Sequence, residues 1–501
     1  MPILNSLVSW IIKQRIHQID FFKKYPVEVQ NEWIGNLIDT AKNTEWGKKY
    51  DYKSIRTITE FKERVPVLDY EGIKPYINRQ IKGEQNILWP SKVKWFAKSS
   101  GTTNDKSKFI PVTTESLEEC HFKGGKDLFS IYCHNQPESK LFEGKALTLG
   151  GSHQINNLSS DSFYGDLSAI LIQNLPFWAE FYRTPNIEIS LMHEWEEKIE
   201  KMIHVTSKEN VTNIAGVPSW MLVLIKGILD YTGQDCLTKV WPNLELIIHG
   251  GVNFEPYKAQ FESCIKKKIN YLETYNASEG FFGIQDEPDS QDLLLMLDYG
   301  VFYEFIPMED FDKGNLKTIG LEEVELNKNY ALVISTNSGL WRYLIGDTIR
   351  FHSLNPFRIR ITGRTKNFIN AFGEELIIEN VEKAIAIASL KTECLIKEYT
   401  VAPLYFSDKS QGAHEWLIEF EKEPENIDYF AEVLDNALKS LNSDYEAKRY
   451  HNMILKEPLI RIVREDTFFK WLKNNGKLGG QHKVPRLYNS RKYIDEIMSF
   501  I

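Results

Sequence analysis

The chain alternates short apolar runs with amphipathic ones. Its opening, MPILNSLVSWIIKQRIHQID, sets Leu4, Leu7, Val8, Ile11, Ile12 and Ile16 at helical spacing and lacks the basic start of a secretory signal, so a packed amphipathic helix is expected. KALTLGG (145–151), LELIIHGG (244–251) and NYLETY (270–275) are short, apolar and closed by glycine or polar residues, the pattern of strands that end in loops. HEWEEKIEKMIHV from His193 and YKAQFESCIKKKI from Tyr257 repeat their apolar residues as helices do. Such alternation predicts an α/β fold with ligand loops at the carboxyl ends of the strands. Residues 293–351 read instead as antiparallel hairpins, which makes the sheets mixed. After RIRITGR (358–364), a strand with basic teeth, come the helical pattern VEKAIAIASL, strand-like EWLIEFEKE, helical DYFAEVLDNALKSL and a basic tail. That run suffices for a separate small α+β domain, with a hinge at 364–367.

Composition narrows the function classes. With 42% hydrophobic and 26% charged residues the 501-residue chain folds rather than remaining disordered, and it exceeds one ordinary core. Its 60 basic and 69 acidic side chains give a net charge of −9, which argues against a general nucleic-acid neutraliser. Cys120, Cys133, Cys236, Cys264 and Cys394 are odd in number and form no C-x-x-C pair, so neither a disulfide framework nor a zinc site is expected, and a reducing cytoplasmic setting fits. The most apolar stretch, WMLVLIKGIL from Trp220, is too short to cross a membrane and is broken by Lys226; no membrane span is expected.

Three loops carry candidate chemistry. SSGTTNDKSKFIP (99–111) fails the G-x-x-x-x-G-K-[ST] phosphate cradle, because only Gly101 is present. The hydroxyls of Ser99, Ser100, Thr102 and Thr103 can still donate to phosphate oxygens, with Lys106 or Lys108 adding charge, although a plain Ser/Thr turn has the same composition. TYNASEGFFG (274–283) sets Tyr275, Ser278 and Glu279 in a glycine-bounded turn: a ring able to stack on a base, a hydroxyl, and a lone carboxylate of the kind that holds Mg²⁺ together with phosphates. A core tyrosine in an ordinary turn reads identically. Asp347, after Gly346, suits a ribose diol or the cap of a hairpin. His249, before two glycines, reads as a satisfied strand-end histidine. H-E-x-x-H and G-x-S-x-G are both absent, which removes the zinc-protease and serine-hydrolase readings.

Together these segments resemble the acyl-acid amido synthetases, the auxin-responsive family of plants and its bacterial relatives, within the adenylate-forming superfamily. The family's SSGTT-x-G-x-x-K matches Ser99 to Lys108 except at Asp105. A Y-x-A-S-E-like turn matches Tyr275 to Glu279, and T-x-x-G-L-x-R-Y-x-x-G-D matches Thr336 to Asp347. GRTKNFINAFGEE (363–375) is similar to the superfamily hinge, with Asn367 where an aspartate is usual, and GGQHKVPR (479–486) to a lysine-bearing C-terminal loop. The resemblance implies that Ser99, Ser100, Gly101, Thr102, Thr103 and Lys108 hold the triphosphate of ATP, that Tyr275 stacks on adenine beside Ser278, and that Glu279 binds Mg²⁺. It further implies that Gly251 lines the adenine slot, Asp347 and Arg364 hold the ribose, and Lys483 is the catalytic residue at the α-phosphate. Asp tolerates the left-handed backbone that glycine supplies, so Asp105 is expected to keep the loop's shape while facing solvent.

The expectation is thus an α/β protein. A large N-terminal ATP- and acyl-binding domain (1–364) has mixed β-sheets and a β-barrel-like element flanked by helices, and a small mobile α+β domain covers 365–501. The implied activity adenylates a small carboxylic acid with ATP and Mg²⁺ and passes the acyl group to an amine, an amino acid in the plant relatives. An acyl-coenzyme A ligase of the same superfamily and a non-catalytic nucleotide-binding regulator stay open as alternatives. AGVPSWMLVLI (215–225) reads equally as an acyl-pocket wall and as a buried core helix. No motif bears on oligomeric state.

Overall fold

In a computed structural model, residues 15–100, 107–150, 156–158, 161–192, 194–251, 254–288, 290–365, 368–374, 376–406, 411–452, 454–474 and 484–499 are described. The apolar runs become strands where expected: Lys145–Thr148, Leu246–Gly250 and Asn270–Ala277. Val211–Gly216 adds a further one. Val211–Gly216 and Leu246–Gly250, in the middle of the parallel half, are buried along nearly their whole length, as central parallel strands are. Their crossover helices, among them Trp195–Thr206, Pro218–Thr232 and Glu255–Ile265, bring the chain back to the same edge. Pro218–Thr232 starts on a proline at its first helical positions and stops at Gly233, whose φ of +65° suits the residue after a helix end.

Eleven strands of the described residues form one sheet. Its spatial order is Val301–Pro307, Asn329–Thr336, Tyr343–Leu354, Phe357–Arg364, Leu293–Leu295, Gly280–Ile284, Asn270–Ala277, Leu246–Gly250, Val211–Gly216, Lys145–Thr148 and Arg183–Thr184. The last five are mutually parallel and the rest antiparallel. Asn270–Ala277 is the switch strand, parallel to Leu246–Gly250 and antiparallel to Gly280–Ile284. The hairpins that suggested a barrel make the antiparallel half of this open sheet, and no closed barrel forms among the described residues. A second sheet carries the hairpin Trp95–Ser100 and Ser107–Val112.

Beyond Arg364 lies the smaller α+β domain. Leu395–Tyr405 and Gly412–Lys422 pair antiparallel, Leu459–Ile462 joins in parallel, and helices Ile378–Lys391 and Ile427–Leu441 pack alongside. Its apolar core is continuous with the helix-covered parallel half of the large sheet, from Leu147, Trp220 and Ile247 to Phe372, Val401 and Trp416. Polar contacts cross the same seam. Tyr257 Oη donates to the Ala371 carbonyl at 2.8 Å, and the Lys448 ammonium lies 4.7 Å from the centre of a Trp220 ring.

One buried ion pair locks the entry to the Tyr343–Leu354 strand. Arg342 Nε meets both oxygens of the fully buried Glu304 at 3.2 and 3.0 Å, while Nη1 donates to the carbonyls of Lys62 (2.7 Å) and Val65 (2.6 Å). Thr318 accepts from Nη2 and donates to Glu304. Removing one partner strands a buried charge. Arg342→Met is therefore expected to destabilise the protein by about 3–5 kcal/mol, read from denaturant unfolding.

Candidate active site

Of the residues singled out in the sequence, Lys108, Tyr275, Glu279, Asp347 and Arg364 come together near the strand at which the large sheet changes from parallel to antiparallel. Pairing in the first hairpin sets Ser99 opposite Lys108 and Ser100 opposite Ser107. Gly101, Thr102, Thr103, Asp105 and Lys106, on the loop between those strands, lie outside the described residues. So do the hinge pair Lys366 and Asn367 and the predicted catalytic Lys483.

Glu279 sits at the tip of a two-residue turn, because Ala277 pairs directly with Gly280. Ser278, half-buried, shares that turn. Tyr275 lies within the strand, paired with Gly283, in agreement with the strand reading of 270–275 and not with its place in the turn. Ladder hydrogen bonds hold the backbone extended through Ala277. The ring is 5% exposed and packs edge-on against Phe282 at 4.9 Å.

Asp347, 7% exposed, joins two strands. It accepts from Tyr275 Oη at 2.5 Å and pairs with Arg364 Nε at 3.0 Å, its direct neighbour across the Tyr343–Leu354 and Phe357–Arg364 ladder. Burial and the adjacent Asp347 carboxylate push the Tyr275 phenol well above the usual tyrosine range, so it stays a proton donor. Gly346, at φ +96°, takes a backbone conformation that side chains disfavour, and its carbonyl accepts from Thr365 N–H at 2.8 Å. The chain is thus fastened on both sides of Arg364 immediately before the predicted hinge.

Lys108 and Glu279 are buried, 6% and 8% exposed, and they act on each other. Burial raises the Glu279 carboxyl above the ordinary range; Lys108 pulls it down, Asp347 raises it, and Arg364 lowers it again. Lys108, Glu279, Asp347, Arg364 and Tyr275 therefore form one electrostatic unit. A single acidic side chain with a lysine and an arginine beside it fits a divalent cation carried by phosphates better than an all-protein metal cage. Among the described residues no group of three His, Cys, Asp or Glu side chains forms such a cage.

Gly251 follows the Leu246–Gly250 strand, whose Gly250 pairs with Thr274 next to Tyr275. At φ +80° it requires glycine-like freedom, and its carbonyl accepts from Asn370 Nδ2, just past the hinge, at 3.2 Å. His249 corrects the expectation of a satisfied ring. It stacks on Phe254 at 4.1 Å and 11°, and its buried Nδ1 has no partner among the described residues. Burial pushes its pKa down to about 4, leaving a neutral imidazole. Pro218–Thr232 is a core helix, with Met221, Leu222, Leu224 and Ile225 fully buried.

Sequence reasoning missed Tyr70. Its ring lies 5.9 Å from the Lys108 ammonium, and its hydroxyl accepts from Phe109 N–H at 2.9 Å. No local signal marks it, since it opens an ordinary helix, Tyr70–Ile81, remote in sequence from the hairpin. Tyr343 lay inside a quoted motif but received no role.

Three domain families match in order: the GH3 family N-terminal domain over residues 15–269, its central domain over 294–364 and its C-terminal domain over 379–492. Indole-3-acetic acid-amido synthetase GH3.3 of Arabidopsis thaliana is 23% identical over 563 aligned residues, which covers 95% of this chain and 90% of that protein. The 4-substituted benzoates-glutamate ligase GH3.12 of the same plant is 24% identical, with 87% of this chain and 88% of that protein covered. The solved structure of the GH3.15 acyl acid amido synthetase shares the fold at a TM-score of 0.62 and 17% identity, covering 97% and 95% of the two chains. With one of these domains alone spanning half of its length and all three in sequence, the chain belongs to the GH3 family.

Proposed function

We propose that the protein is an ATP-dependent acyl-acid amido synthetase acting in the cytoplasm on a small carboxylic acid and an amino acid. The observation that carries this reading is the convergence of Lys108, Glu279, Asp347 and Arg364, drawn from distant segments, near the switch strand. Amide-forming relatives favour an amine acceptor over coenzyme A.

In the first half-reaction an oxygen of the acid attacks the α-phosphorus and pyrophosphate leaves. In the second, the amine nitrogen attacks the acyl carbonyl, AMP leaves and the nitrogen loses a proton. Two anions meet in the first step, so the site must supply positive charge and donors where none need reorganise. Lys108 and the hydroxyls of Ser99, Ser100, Thr102 and Thr103, with the Gly101 backbone, hold the triphosphate. Glu279 is the protein ligand of Mg²⁺, which when bound offsets phosphate charge. Asp347, oriented by Tyr275, takes the ribose with Arg364; Tyr275 stacks on the base beside Ser278, and Gly251 lines the adenine slot. Lys483 reaches the α-phosphate. The second domain, from residue 365, brings it in and withdraws it so that the amine can enter.

Acid-dependent exchange of labelled pyrophosphate into ATP, run over aromatic, indole and fatty acids, tests the first half; amino acids or coenzyme A added to preformed adenylate identify the acceptor. No exchange with any acid in the panel would refute the reading. Lys483→Ala is expected to slow exchange by about 10²- to 10³-fold while leaving aminolysis of supplied acyl-adenylate near normal. Asp347→Asn removes the charged acceptor shared by Tyr275 and Arg364. It should raise the KM for ATP at least about tenfold in the same assay. Lys108→Met should weaken ATP binding by a similar factor in calorimetry, with the fold intact by circular dichroism.

A further inference from the structure

The helix that follows the Lys108 strand begins in an uncommon form. Ser116–Phe122 is a π-helical turn, continued by the α-helix Lys123–Asn135. Such turns are rare and recur at functional sites. Its start is tied to the end of the hairpin. Thr113, next after the strand Ser107–Val112, donates from its backbone to Ser116 Oγ at 2.9 Å and accepts at Oγ1 from Ser116 N–H at 3.0 Å, while Thr113 Oγ1 donates to the Asn337 carbonyl at 2.8 Å.

Two consecutive residues of this turn grip the hairpin that carries Glu279. Ala277 and Gly280 close the two-residue turn, and Asn276 faces Phe281 one step back. Bonded and non-bonded pairs alternate along an antiparallel ladder, so the backbone N–H of Phe281 points away from Asn276 and needs an acceptor elsewhere. It donates to Cys120 Sγ at 3.2 Å. On the other strand the His121 ring meets the Asn276 side chain, Nδ1 to Oδ1, at 3.2 Å. Burial pushes the imidazole pKa down to about 4, so the ring is neutral; an amide oxygen only accepts, so Nδ1 carries the proton. Gly124, further along the same helix, leaves no room for a Cβ beside the Phe281 ring. Both members of the cross-strand pair next to the closing pair are thereby fastened to the segment that continues from Lys108.

We propose that Cys120 and His121 are positioning residues for Glu279: by fixing the Asn276–Phe281 pair to the helix that continues the Lys108 strand, they set the Glu279 turn against the phosphate-binding hairpin, at the spacing a triphosphate with its divalent cation requires. This rests on the reading of Glu279 as the Mg²⁺ ligand and of Lys108 as a phosphate ligand.

Three substitutions test it. His121→Leu removes the donor, Asn276→Ala removes its acceptor from an exposed position that spares the core, and Cys120→Ala removes the acceptor of the Phe281 N–H. Each should raise the Mg²⁺ needed for half-maximal pyrophosphate exchange about five- to tenfold, with the KM for ATP at saturating Mg²⁺ unchanged. Binding of Mn²⁺ in the presence of a non-hydrolysable ATP analogue, followed by electron paramagnetic resonance, should weaken by a similar factor. His121→Asn, whose amide can donate from near the place of Nδ1, should restore most of the metal affinity. Adding Asn276→Ala to His121→Leu should cost nothing more. An unchanged metal requirement in Asn276→Ala or Cys120→Ala, a KM for ATP that rises in step with the metal requirement, or additive losses in the double variant would each overturn the proposal. Should His121→Leu fail to fold, Asn276→Ala decides by the same readings. If the parent protein carries out metal-dependent exchange and the variants match it, this inference alone falls; if the parent protein shows neither exchange nor metal-dependent nucleotide binding, the functional reading falls with it.

Discussion

The cleft depends on how one carboxylate is shared. Asp347 is buried, and a buried charge persists only where it is paired and hydrogen-bonded. Tyr275 and Arg364 meet that demand from two different strands, one at the parallel-to-antiparallel switch and one at the last turn of chain before the second domain. Satisfying the charge therefore fixes the distance between the switch strand and the hinge strand. Lys108 and Glu279, which act on each other and on this Asp347–Arg364 pair, are held by a hairpin and a two-residue turn.

The same geometry divides the molecule into fixed and deliverable parts. Of the groups expected to bear on nucleotide binding, Ser99, Lys108, Tyr275, Asp347 and Arg364 stand on paired strands, where ladder hydrogen bonds and packing set their positions. The predicted lysine donor belongs instead to the small domain, joined through a segment whose near end is clamped by Gly346 and Arg364 and whose far end touches Gly251 through Asn370.

Much of this arrangement was legible in the amino-acid order. Strands closed by glycine, helices of regular period and the turn chemistry around Glu279 and Gly346 are local signals, and local physics produces them. The motif spacing located Lys108, Glu279, Asp347 and Arg364, and folding brings these four together. What stayed hidden arises from tertiary packing. Tyr70 approaches Lys108 from a helix with no distinguishing sequence. The ring of His249 stacks on Phe254, and its buried Nδ1 has no partner among the described residues, which the sequence does not announce. Tyr275 donates its hydroxyl to Asp347 on a distant strand, a contact that its own segment does not announce. The hairpins that suggested a barrel continue an existing sheet, a choice made by edge pairing with Leu293–Leu295 and Gly280–Ile284 that no single hairpin encodes.

The apolar core that runs unbroken from the parallel strands into the smaller domain has a thermal consequence. Any swing of that domain must wet part of a surface that is dry at rest, and wetting hydrocarbon carries a large positive heat capacity. The energy of the proposed reorientation then varies with temperature along a curve rather than a line.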